Sequence, residues 1–120
     1  MSDTTTAVDP SKLSTTNIIV HQLTLLLTEL LIAARATADL AKSIKINSEM
    51  MAVQTVLNTA VQAQTAADDD QFSQACQNLN AQAAMLTAME AQVAAIVADV
   101  ASAGRIIGYI GQAVALIARL

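Results

Sequence analysis

The sequence predicts an all-α protein: a long antiparallel helical hairpin, arms at about 15–67 and 70–120, packing into a multi-helix bundle or an oligomer. Three observations carry this expectation. The single proline is Pro10 and the first of three glycines is Gly104, so nothing between them breaks a helix by backbone chemistry. Ala leads the composition, and Ala, Leu, Gln and Met all favour helix. Apolar residues recur at alternating steps of three and four along most of the chain, the spacing of one helical face. A compact monomeric four-helix bundle is the alternative on the same pattern.

Residues 1–13 (MSDTTTAVDPSKL) read as a polar flexible arm ahead of one helical domain, 14–120. The first helix is expected to start at Ser14, Thr15 or Thr16. Its seam runs Ile19, Leu23, Leu26, Leu30, Ala33, Thr37, Leu40 and Ile44. A second run follows one residue out of phase: Ile46, Met50, Val53, Leu57, Ala60, Gln64 and Ala67. The offset implies a kink, a change of winding, or a turn at Asn47-Ser48 that would give the four-helix bundle.

The turn between the arms is placed at Asp68-Asp69-Asp70. Three adjacent carboxylates repel one another inside a helix, whereas an aspartate caps a helix start and suits its positive dipole end. Asp69 or Asp70 is the expected cap. Beyond it the seam runs Phe72, Ala75, Leu79, Gln82, Leu86, Met89, Val93, Ile96, Val100, Ala103, Ile107, Ile110, Val114 and Ile117. Only Gln82 interrupts it, a regularity of coiled-coil grade. Because the seam passes Gly104 in phase, one helix of roughly 75 Å is expected from about residue 70 to the end.

Folding at Asp69 brings the two most apolar stretches together, residues 18–34 and 104–120. A hairpin of two helices buries one stripe on each, so the remaining apolar surface needs a partner. The expected packing or oligomer interface comprises Leu23, Leu26, Leu27, Leu30 and Leu31 with Ile107, Ile110, Val114 and Ile117. A row of small residues, Ala101, Gly104, Gly108, Gly111, Ala115 and Ala118, accompanies it and would allow close helix approach. Antiparallel alignment also suggests two inter-helix ion pairs, Glu29 with Arg105 and Arg35 with Asp99.

Composition excludes several functions. With 54% hydrophobic and 13% charged residues the chain is not of disordered type. A net charge of −4 and 2% aromatics argue against nucleic acid, which needs basic clusters and stacking platforms. One Cys and one His supply neither a disulfide framework nor a Cys/His zinc site. His21 and Cys76 read as packing residues, and Asp68–Asp70 lack the alternating ligand spacing of a calcium loop. No phosphate-binding glycine loop or nucleophile elbow occurs. The expectation is therefore a protein that is not an enzyme, with no cofactor, metal or small-molecule substrate.

Size and layout are similar to the secreted WXG-type hairpins and to Ala/Gln-rich secretion-needle and translocator hairpins. The Trp-x-Gly turn of the first class is replaced here by the three aspartates, and architecture does not transfer function. The leading expectation is a self-assembling structural or interaction protein, a homo-oligomer. Two alternatives stand beside it: a membrane-active hairpin, pore-forming or holin-like, and a helical partner-binding or chaperone-like module. For a membrane span, residues 18–34 are short and carry His21, Gln22 and Glu29. Arg105 and Arg119 bracket the C-terminal apolar run like interface anchors. Asp3 and Asp9 against Lys12, with Glu29 in the apolar run, fit a cleavable signal peptide poorly. The expected location is cytoplasmic, or exported by a signal-independent route.

Overall fold

The computed structural model describes residues 7–120, and among them the chain is all α: α1 Pro10–Ala36, α2 Leu40–Gln64, α3 Asp69–Ile96 and α4 Val100–Ile117. The expected arm thus loses 10–13 to α1, and residues 1–6 lie outside the described part. Pro10 opens α1 because the first helical position needs no N–H, and Asp9 before it caps the Ser11 N–H.

Each expected long arm is two helices. Every α-helix begins behind an aspartate: Asp39 accepts from the Lys42 N–H (3.1 Å), Asp68 from Gln71 (2.9 Å) and Asp99 from Ala101 (3.1 Å). The turns at Thr37–Asp39 and Val97–Asp99 need no glycine. Thr37, Asp39, Val97 and Asp99 are extended, and no described residue has positive φ. Extended backbone suits the β-branched Thr37 and Val97, and an aspartate then closes each turn by capping. Asn47-Ser48, the other expected break, lies inside α2. Replacing Asp99 with Ala is expected to cost about 0.5–2 kcal/mol, measured by denaturant unfolding, with the helical signal retained.

The helices run up-down-up-down. α1 packs on α2 and α4, α3 packs on the same two, and the diagonal pairs have no Cα atoms within 8 Å of one another. A cross-section of 20 × 19 Å is that of four helices in a square, twice the thickness of a lone hairpin. The register shows in the Gln64 amide, which donates to Asn17 across α1 and α2 (2.8 Å).

The core is one continuous cluster. From α1 it takes Thr16, Ile19, Leu23, Leu26, Leu30 and Ala33, and from α3 Phe72, Ala75, Cys76, Leu79, Leu86, Met89, Val93 and Ile96. In α2 and α4 the turns reset the phase. Leu40, Ile44 and Val100, expected on the seams, are 74%, 60% and 85% exposed. α2 buries Ile46, Glu49, Val53, Val56, Ala60 and Ala63, while Met50, Leu57 and Gln64 are half-buried. α4 buries Ile106 and Ala113 where Ile107 and Val114 were expected.

The boundaries also reveal an internal correspondence. Asp39 and Asp99 stand sixty positions apart, and around them Ala34, Ala38, Ala41 and Ile46 match Ala94, Ala98, Ala101 and Ile106 at the same spacing. Each of these turns joins two antiparallel helices, α1 to α2 and α3 to α4.

Candidate interaction face

α1 and α4 are antiparallel neighbours and carry the most apolar sequence. Both are long and apolar enough to cross a membrane, by length and composition, and only a third of each such stretch is buried. α2 and α3, on the opposite side of the square, do not meet that description.

Between α1 and α4, the Arg105 Nε–H donates to Glu29 Oε1 and forms an ion pair. Glu29 is buried, whereas the Arg105 side chain is 51% exposed, so the guanidinium lies over the carboxylate with its outer edge in water. Arg35 and Asp99, the second expected pair, do not meet: Asp99 caps α4, and Arg35 ends α1, where a cation suits the helix dipole.

The residues expected at an interface between helices or copies divide into three groups. Leu23, Leu26, Leu30, Ile110 and Ile117 are fully buried in the chain's own core, so they are not available to a partner. Leu27, Ile107 and Val114 form half-buried shoulders beside that core. Leu31 reaches the surface, as do its neighbour Ile32 and, more than three turns away on the same helix, Ile18. The small-residue row, Ala101, Gly104, Gly108, Gly111, Ala115 and Ala118, is exposed along its whole length. A Cβ built on any of the three glycines meets nothing within 4 Å, so no helix of this chain approaches them.

At the other end, Asp68 is the cap of α3, and Asp69 and Asp70 occupy its first turn against the positive dipole end. No group of three His, Cys, Asp or Glu among the described residues is placed to hold a metal ion. His21 is exposed on α1. Cys76 is buried, and burial pushes its thiol above the ordinary value, away from the reactive thiolate. An open groove of about 480 Å³ between α1 and α2 is lined by Leu27, Leu31, Met50 and Met51 with Thr28, Asn47 and Gln54, and contains no charged group.

Sequence reasoning missed Glu49, which occupies a core position of α2. From Ile46 the three-four pattern continues equally through residue 49 or residue 50, and the apolar Met50 concealed the true path. In comparisons with known proteins, no family model matches the chain, and neither a curated protein nor a solved structure is significantly similar to it.

Proposed function

We propose that the chain is a non-enzymatic protein that self-associates through the outer face of α4, glycine row against glycine row of a second copy. One observation carries this reading. An exposed glycine in a helix interior costs about 1 kcal/mol relative to alanine, because its backbone loses more freedom on folding. α4 bears three, none with positive φ and none approached by another part of the described chain. Nothing among the described residues uses them, and a helix backbone arriving from outside would. The apolar shoulders Ile107 and Val114 flank the row and add surface to bury.

The test is absolute mass by light scattering across a concentration series. A defined oligomer or a growing polymer is expected; a monomer at every concentration rejects the reading. Gly108→Leu is expected to abolish association with its circular dichroism unchanged, since the added side chain enters open space. Gly108→Ala should stabilise the fold by about 0.5–1 kcal/mol while weakening association.

A second reading rests on a separate observation, the adjacency of the two helices apolar enough to span. Here α1 and α4 would enter a bilayer as a pair, and α4, at about 27 Å, approaches the thickness of the hydrocarbon core. Small residues at four-residue spacing also serve helix contacts in lipid. Dye release from vesicles by a chain that is monomeric in buffer would favour this reading over the first.

A further inference from the structure

Glu49 sits in the core stripe of α2 between Ile46 and Val53, 6% exposed, and neither carboxylate oxygen has a hydrogen-bond partner. The buried threonines behave differently: Thr16 donates to the Lys12 carbonyl (2.8 Å) and Thr59 to that of Thr55 (3.2 Å). Across the Thr65–Asp68 turn, α2 and α3 run antiparallel, and positions whose numbers sum to about 133 lie level. Glu49 is therefore within about one helical turn of Gln82, the polar member of the α3 stripe. Gln82 follows Ala75 by seven residues on one stripe, and Ala75 lines the α2–α3 groove with Gln62 and Thr65. Its Oε1 is likewise buried without a partner.

Among the described residues no cation compensates Glu49. α3 contains no Lys, Arg or His, and its charged groups are Asp69, Asp70 and Glu90. On α1, Lys12, His21 and Arg35 are exposed, and Glu29 turns toward Arg105 of α4, which lies diagonally across the bundle from α2. Lys42 and Lys45 of α2 itself are exposed. Glu49 and Gln82 Oε1 thus receive no hydrogen bond, the Gln82 amide N–H making none to the carboxylate, and an uncompensated buried carboxylate is costly. A protonated Glu49 supplies the missing O–H.

We propose that Glu49 is a proton-operated latch between α2 and α3, donating to Gln82 Oε1 as the acid and loosening the two helices as the carboxylate. Burial raises its pKa from 4.5 to about 7, in the same sense. The folded state then holds the proton more tightly than the unfolded one. The latch's stabilisation is complete below the unfolded value and is lost as pH rises through about 7. The inference is independent of what α4 contacts.

The experiment is thermal unfolding of the full chain at pH 5, 6, 7 and 8, with infrared detection of a protonated carboxyl. The wild type is expected to lose about 5 °C or more in Tm between pH 5 and 8. Glu49→Gln should remove that dependence and the protonated-carboxyl band at pH 6. Gln82→Leu should lower the Tm at pH 5 more than at pH 8, and His21→Gln should leave the wild-type profile unchanged. A wild-type Tm that is flat or rises over this range overturns the latch. So does a Glu49→Gln profile that follows the wild type, or loss of the response in His21→Gln. Should Glu49→Gln fail to fold, absence of the carboxyl band in the wild type at pH 6 overturns it equally.

Discussion

Leu30→Ala is expected to lower stability by about 2–5 kcal/mol, the range for deleting a fully enclosed leucine and leaving a cavity that cannot collapse. Leu30 is 0% exposed and sits in the continuous core. Ile44, read from sequence as a member of the same seam, is 60% exposed, and Ile44→Ala should change stability by less than about 0.5 kcal/mol. Denaturant unfolding of the two variants measures the contrast. Equal losses would place Ile44 in a buried contact and rule out a turn at Thr37–Asp39 in solution.

The Glu29–Arg105 pair is expected to respond asymmetrically. Removing Arg105 as Arg105→Ala leaves a buried carboxylate without its donor, an unsatisfied group that costs about 1–3 kcal/mol. Removing Glu29 as Glu29→Ala leaves a guanidinium that is already 51% exposed and can complete its hydration. Arg105→Ala should therefore have the lower Tm of the two. The double variant should recover part of the loss, since neither charge is then orphaned. A double-mutant cycle by thermal unfolding reads the coupling; equal single losses with no coupling would mean that the pair opens to water.

The same pair shows why part of the arrangement was legible in the sequence. A long hairpin and an up-down-up-down bundle both set α1 antiparallel to α4, so the register that brings residue 29 to residue 105 is common to the two architectures. The α1 core from Ile19 to Ala33 and the α3 core from Phe72 to Ile96 were legible for a related reason: within one uninterrupted helix the three-four pattern has a single phase. Pattern reading failed at Thr37–Asp39 and Val97–Asp99. Glycine and proline announce turns that need unusual dihedrals, and these turns have extended residues at both ends and no positive φ. Their one signal is an aspartate, and the hairpin alignment gives Asp99 a competing use as the partner of Arg35. Once the turns were missed, the phase of α2 and α4 was free to slip by a residue, which hid Glu49 and exchanged Ile106 for Ile107. The glycine row was visible as a row, but only packing could show which way it faced.

The sixty-residue correspondence between the two hairpins changes what it means that a hairpin cannot bury both its apolar sides. Each half, α1–α2 or α3–α4, is an open sandwich whose filling faces outward, and in many assemblies such a half finds its complement on another molecule. Here the complement is carried in the same chain, held by the four-residue tether Thr65–Asp68 at a local concentration no separate subunit could match. The protein is, in this sense, its own dimer. Any assembly of higher order then begins from an object whose inner seam is already closed.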